Sequence, residues 1–364
     1  MPKHNPRNER IKRGYFEYLR EARGRSEPSV DAAAKAIFRF EETVRFRDFK
    51  QFSRAQAIAF KRRLQETGTA RGTGLLSAST IDTTLRHLRE FFLWLAGQPG
   101  FRSALQYSDA EYFNLGAKEV EVARARRPKR FPTLEQMHRV LCCMPSSTAI
   151  ERRDRAVVAL ALLTGARADA LASLRLGDLN LAEKSIHQDA RTVRTKFSKT
   201  FTTWFMPVGG NACEIILSWE RELREDLLRG PADALFPATD LAFDEANGFL
   251  PAGLKRAGWK TSGPVREAFK RAFAAASLPY FYPHSLRYTL VRLGETCCHS
   301  PEEFKAWSQN LGHDGVMTTF MNYGHVSPER QAQIIADLDP AASADREKEI
   351  AVRRLLDEIA QRWP

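Results

Sequence analysis

The sequence predicts a mainly α protein with a small β-sheet, arranged as a helical N-terminal domain followed by an α+β domain. Three observations carry this. Amphipathic helical spacing fills most of the first hundred residues. Strand-forming residues cluster only between about 185 and 208. Between the two halves, residues 117–131 turn basic, include Pro128 and show no hydrophobic face.

Residues 11–22 place Tyr15, Phe16 and Leu19 on one side of a helix, and residues 29–40 are alanine-rich with Ile37, Phe38 and Phe40. Ser53 and Gln56 read as a capping box ahead of residues 57–64, because each side chain can serve the other's backbone N–H. Residues 80–95 carry Leu85, Leu88, Phe92 and Leu95 at helical spacing, with Gly97 as the stop signal. Four such helices make a small bundle. The basic run Ala123-Arg124-Ala125-Arg126-Arg127-Pro128-Lys129-Arg130 reads as a connector that can lie along a phosphate backbone. Helices return at 133–144, 154–163 and 167–174, the last after a break at Thr164-Gly165. Strands are expected at 185–187, 191–195 and 202–208, the last with Thr203, Trp204, Phe205 and Val208, and a turn at 197–200. Further helices are expected at 212–228, 261–276 and 284–294. A terminal helix over 345–363 has an apolar side of Ile350, Val352, Leu355, Leu356, Ile359 and Trp363. The expected division is 1–116, connector 117–131, second domain 132–340 and C-terminal helix 341–364.

With 364 residues, 43% hydrophobic and 27% charged, the chain has room for two domains with proper cores. No apolar run reaches membrane-spanning length, and the N-terminus lacks the apolar core of a signal peptide, so a cytoplasmic protein is expected, with no membrane partner. Five cysteines, four of them in the adjacent pairs Cys142-Cys143 and Cys297-Cys298, do not form a disulfide framework. Cys297-Cys298-His299 lacks the loop spacing of a zinc knuckle, so no metal is expected. The net charge of +12 favours a polyanionic partner, because lysines and arginines that neutralise phosphates release condensed counterions.

The last third concentrates reactive side chains: His284-Ser285-Leu286-Arg287, then Leu311-Gly312-His313, then Tyr323-Gly324-His325. Thr164-Gly165-Ala166-Arg167 adds an arginine upstream. Phosphodiester exchange needs a nucleophile, charge on the non-bridging oxygens, a donor for the leaving oxygen and an acceptor for the nucleophile's proton. Arginine suits the second task because its planar fork is permanently charged and can hold two oxygens. Arg167 follows a break at a helix junction. Arg287 lies one turn from His284, so both can face one site.

In order, context and spacing over about 170 residues, these motifs resemble the tyrosine recombinase (phage integrase) family. That signature is an arginine in T-G-x-R, a hairpin lysine, H-x-x-R, L-G-H and a tyrosine followed by x-H. The resemblance implies a helical core-binding (SAM-like) DNA-binding domain, a catalytic domain at 132–340, and the catalytic set Arg167, Lys196, His284, Arg287, His313 and Tyr323. Tyr323 would form a 3′-phosphotyrosyl link and release a 5′-hydroxyl, with no cofactor, metal or ATP. The arginines would stabilise the pentavalent transition state. His284 and His313 would bind the phosphate or handle the tyrosine proton, and Lys196 would protonate the leaving oxygen. Lys199 competes with Lys196; Lys196 is favoured because it is expected at the end of the second strand. Tyr280, Tyr282 and Tyr288 are rival tyrosines, for which packing beneath the site is the simpler reading; His325 is read as structural. Arg124, Arg126, Arg127, Lys129 and Arg130 are the expected connector contacts to DNA. The partners implied are double-stranded DNA, a dimer on each site and a tetramer in the synapse, in the nucleoid, with room for accessory DNA-bending proteins. Asp169 and Ala170, Tyr288 in place of a common histidine, and one extra residue before Tyr323 depart from the family pattern. The length of the N-terminal region favours a mobile-element integrase over a dimer-resolving recombinase. A non-catalytic DNA-binding regulator and a type IB topoisomerase-like enzyme are the rivals.

Overall fold

Phenylalanines at helical spacing in the N-terminal third need one another to leave water. In the structure, Phe40, Phe49, Phe60, Phe91, Phe92 and Phe113 are each no more than 2% exposed. The computed structural model describes residues 4–68, 74–124, 129–244 and 248–313. It divides into two compact units, Met1–Arg127 and Pro128–Pro364.

Unit 1 is a bundle of α1 (Pro6–Glu17, continued by a π turn over Tyr18–Ala22), α2 (Glu27–Thr43), α3 (Arg54–Glu66), α4 (Ala78–Ala96), a 3-10 segment (Tyr107–Phe113) and α5 (Ala117–Arg124). Phe40 of α2 meets Phe60, Phe92 and Phe113 edge-on at 5.4–5.6 Å, the arrangement that ring quadrupoles favour. The capping box of Ser53 and Gln56 is formed. Gly97 caps α4 in a right-handed conformation rather than a left-handed one, so its role as a stop does not use glycine's extra freedom. The expected connector departs from expectation. Residues Ala117–Arg124 form α5, held by Gln65 Nε2 donating to Glu119 Oε1 at 2.6 Å and by Glu119 Oε2 accepting from Gly116 N at 2.9 Å. A carboxylate that caps the helix and bridges to α3, together with packing against α4, holds it.

A buried polar knot ties α1 to α2. Lys12 Nζ lies 2.7 Å from Glu41 Oε2, and Asn8 Nδ2 donates to Glu41 Oε1 at 3.0 Å and to Arg47 O at 2.9 Å. Asn8 Oδ1 accepts from Phe49 N at 3.1 Å. Burial works against the Lys12 charge, but the bonds to Glu41 and Glu9 outweigh it and raise its pKa.

Unit 2 is built around α7 (Ala149–Thr164), whose residues 156–163 are all at most 3% exposed. A helix apolar on every side must be surrounded. It is packed by α6 (Leu134–Cys143), α9 (Ala212–Arg221, continued by a π turn over Glu222–Asp226), α10 (Gly263–Ala275) and α11 (Leu286–Cys297). The short α8 (Ala168–Leu171) follows α7, and α12 (Pro301–Asn310) follows α11. One sheet is antiparallel in the order β1 (Leu179–Asn180), β2 (Ser185–Gln188), β3 (Phe201–Trp204), with Ile186 opposite Thr203.

Two strand expectations change. Residues 191–195 form no strand. Asp189 pulls them into a turn: its carboxylate accepts from Arg191 N at 2.9 Å and its carbonyl from Val193 N at 2.7 Å, while Val193 drops into the core. A second sheet was not legible at all: β4 (Pro237–Asp244) and β5 (Gly248–Gly258) pair as a bulged antiparallel hairpin. Alanine, proline, glycine and aspartate dilute its β signal. What secures its base is tertiary. Buried Arg153 donates to Pro237 O at 2.8 Å and Thr239 Oγ1 at 3.0 Å, pairs with Asp154, and lies 4.9 Å from the Trp259 ring centre. Among the described residues no helix is long and apolar enough to cross a membrane.

Lys12→Met strands Glu41 in the core of unit 1. The expected loss is about 3–5 kcal/mol, with partial recovery in Lys12→Met/Glu41→Leu. Urea denaturation followed by circular dichroism measures it, and a loss below about 1 kcal/mol would show the pair to be dispensable.

Candidate active site

Arg287 is buried, at 2% exposure, in the first turn of α11. A guanidinium donates only, so burial requires acceptors around it. Nη1 donates to Gly165 O at 2.8 Å; Nη2 donates to Leu311 O and to His313 Nε2, the latter at 2.7 Å. Gly165 ends α7 and Leu311 ends α12, so one side chain joins Thr164-Gly165-Ala166-Arg167 to Leu311-Gly312-His313. Because the donor is Arg287, Nε2 of His313 carries a lone pair, which places the proton of the neutral ring on Nδ1.

The junction needs glycine. Gly165 has φ +60°, and a Cβ there would stand 2.8 Å from Leu311 Cδ2 and 2.9 Å from Leu290 Cδ1. Gly312 has φ +69°, and a Cβ would stand 2.7 Å from Phe201 of β3. The break expected from Thr164-Gly165 is therefore a left-handed cap at a point of closest packing.

His284 lies in a 3-10 turn, Pro283–Ser285, secured by Ser285 Oγ donating to Tyr282 O at 2.7 Å. Its ring stands edge-on to Tyr288 at 6.4 Å and parallel to Tyr282 at 6.5 Å. Although His284 is partly open to solvent, its pKa falls to about 4. The largest cause is loss of water around the ring; repulsion from Arg287, Arg167, Lys129 and Lys196 adds to it. Those four cations come from α11, the N-cap of α8, the segment entering unit 2, and the β2–β3 loop. Arg167 is half-buried.

Lys196 does not stand at the strand end where it was expected, because residues 191–195 form no strand. It sits in a 3-10 turn (Lys196–Ser198) whose Phe197 has φ +62° and is 76% exposed. The Lys196 ammonium lies 4.7 Å from that ring centre and Lys199's 5.9 Å. Lys196 is exposed and Lys199 half-buried; the field of Lys196 reaches His284.

The rival tyrosines divide. Tyr288 is packed, at 8% exposure, but Tyr280 and Tyr282 are 48% and 41% exposed, so packing beneath the site holds for Tyr288 alone. Asp169 is exposed and Ala170 buried in the core. Tyr323, His325, Arg126, Arg127 and the terminal helix lie outside the described residues; Arg124 closes α5, and Lys129 and Arg130 are exposed. Among the described residues no three His, Cys, Asp or Glu side chains are grouped to hold a metal. Sequence reasoning missed the environment of Tyr288. Phe131 stacks on it at 5.8 Å, and Thr289 Oγ1 donates to Pro132 O at 2.5 Å. The departure from histidine at 288 was the available signal.

The arginine-centred junction and the further cations around His284 give this part of unit 2 a concentration of positive charge. The model of the phage integrase family matches residues 131–330, more than half of the chain, and the chain belongs to that family, the tyrosine recombinases. It is 27% identical over 286 residues to tyrosine recombinase XerC of Vibrio cholerae, covering 78% of each protein. To XerC of Halalkalibacterium halodurans it is 24% identical over 218 residues, which span 59% of this chain and 64% of that one. A lambda integrase dimer bound to a COC′ core site shares the fold with a TM-score of 0.59 at 15% identity, over 86% of this chain and 94% of that one.

Gly165→Ala is expected to cost about 2–4 kcal/mol, from overpacking plus a left-handed alanine, read as a fall in the denaturation midpoint. For His284 the sign is set by its lowered pKa. The unfolded chain binds the proton near 6.5 and the folded chain only near 4. Its contribution is therefore fully present above pH 6.5 and is lost as pH falls towards 4. His284→Asn should flatten that part of the stability–pH curve in DNA-free protein; identical slopes would show that His284 titrates normally.

Proposed function

We propose that this protein is a site-specific DNA recombinase that cuts and rejoins DNA through a 3′-phosphotyrosyl intermediate. The observation that carries the reading is the buried guanidinium of Arg287, which joins Gly165 to His313; the charges of Arg167 and Lys196, which act on His284, support it. Membership of the tyrosine recombinases supports it.

In this reading the Tyr323 oxygen attacks the scissile phosphorus. The bond from phosphorus to the 5′-oxygen breaks as the tyrosyl ester forms. Lys196 protonates the leaving 5′-oxygen. His284, neutral at pH 7, accepts the tyrosine proton or a hydrogen bond from it; a phosphate among its cationic neighbours raises its pKa towards usefulness as a base. Arg167 and Arg287 offset the charge that builds on the non-bridging oxygens. Arg287 is held by its own carbonyl partners, so its charge is placed before substrate arrives. Ligation runs the steps in reverse, with a 5′-hydroxyl attacking the phosphotyrosine. The ester bond is exchanged rather than hydrolysed, so no ATP is consumed.

We further propose that residues 1–116 of unit 1 form a core-binding DNA domain, that 132–340 is the catalytic domain, and that Arg124, Arg126, Arg127, Lys129 and Arg130 follow the DNA backbone. The lambda integrase dimer on its core site is the precedent for a dimer on each site; a tetramer in the synapse and a mobile-element role extend the same reading.

A nicked suicide duplex carrying the preferred site, selected from a random pool, tests this. The wild type is expected to give a covalent adduct and Tyr323→Phe none. Binding without any adduct would make the protein a regulator, and site-independent relaxation of supercoiled plasmid would make it a topoisomerase.

A further inference from the structure

The segment that leads into unit 2 is seated on α11 rather than passing over it. Thr289 Oγ1 donates to Pro132 O at 2.5 Å in a buried contact, and Phe131 stacks on Tyr288 at 5.8 Å with planes 17° apart. Lys129 completes the set, its ammonium 5.4 Å from the centre of the same tyrosine ring. Tyr288 follows Arg287 directly on α11 and meets His284 edge-on at 6.4 Å. One aromatic ring thus touches the incoming segment and the histidine of the site.

We propose that Lys129 is a catalytic residue that contacts the reacting phosphodiester, and that Tyr288 is the positioning residue that parks it there. This rests on the strand-transfer reading. The incoming segment then completes the site, and does more than cross the DNA backbone.

Three arguments carry it. Placement is the first: stacking at Phe131 and hydrogen bonding at Pro132 anchor the backbone immediately after Arg130, so Lys129 stands only two residues from a fixed point. Reach is the second: Lys129 is exposed, on a flexible four-carbon stem, and a lysine resting on a ring can leave it for a phosphate oxygen. Charge is the third. His284 is faced by Arg287 from α11, Arg167 from the N-cap of α8, Lys196 from the β2–β3 loop and Lys129, with the rings of Tyr282 and Tyr288 beside it. Like charges gathered at one point repel until an anion enters, and the anion that enters here is the phosphodiester. As negative charge grows on its non-bridging oxygens, the attraction of a nearby ammonium grows too, which speeds the bond-breaking step itself.

Single-turnover cleavage of the nicked suicide duplex at saturating protein, with binding measured in parallel over a range of salt, tests this. Lys129→Ala should slow cleavage by about tenfold or more, with affinity changed less than about threefold, and Lys129→Arg should restore most of the rate. Loss of one cation near His284 should also move the acidic limb of the pH–rate profile upward. Tyr288→Phe, which keeps the ring, should slow cleavage less than Tyr288→Leu does. Tyr288→Leu should slow cleavage as Lys129→Ala does, with thermal unfolding showing that it is folded. If Lys129→Ala weakens binding alone, lowering the salt slope by about one with the saturated rate unchanged, Lys129 is an ordinary backbone contact and the inference fails. A wild-type adduct with an unaltered Lys129→Ala rate also overturns this inference alone. No wild-type adduct overturns the strand-transfer reading and this inference with it.

Discussion

The buried guanidinium of Arg287 is the interaction on which unit 2 depends. Its charge cannot stay in the core without acceptors, and the acceptors it finds are the carbonyls of Gly165 and Leu311 and the Nε2 of His313. Those groups belong to the C-terminal ends of α7 and α12. Helix ends carry unpaired carbonyls and the negative end of the helix dipole, so they are suited to hold a cation. A single side chain thereby satisfies a folding requirement and gathers three motifs, with Gly165 122 residues before Arg287 and Leu311 24 residues after it.

The same junction explains the glycines. Leu311 and Leu290 reach the α-carbon of Gly165, and Phe201 reaches that of Gly312, so the helix ends close on Arg287 only where no Cβ stands between. It also sets the electrostatics. With Arg287 fixed and Arg167, Lys196 and Lys129 nearby, His284 stays neutral well below physiological pH. Without an anion the pocket holds like charges together, a cost met by the packing of α7 and its neighbours.

Much of this was legible in the sequence because the relevant signals are local. The Ser53 capping box, the apolar spacing of α4 and the Thr164-Gly165 break each depend on residues within a turn or two of one another. The candidate site residues were legible because their order and contexts form one pattern. What escaped was tertiary in origin. The β4–β5 hairpin owes its base to Arg153, more than eighty residues upstream of its first strand. The expected strand at 191–195 gave way to a turn organised by one aspartate side chain. Helix α5 took shape in a stretch with no hydrophobic face because Glu119 both caps it and meets Gln65 of α3, and because the helix packs against α4. The seat of the incoming segment on Tyr288 joins residues about 157 positions apart, beyond any periodicity.

A double-mutant cycle between Arg287 and His313 tests the organising role of the guanidinium most directly. Stability would be measured by denaturation for wild type, Arg287→Met, His313→Leu and the double variant. The expected result is a coupling energy of about 1–3 kcal/mol, with Arg287→Met the more damaging single change because it leaves the carbonyls of Gly165 and Leu311 buried and unpaired. Additive effects, together with a loss for Arg287→Met no larger than that of an exposed arginine, would contradict it.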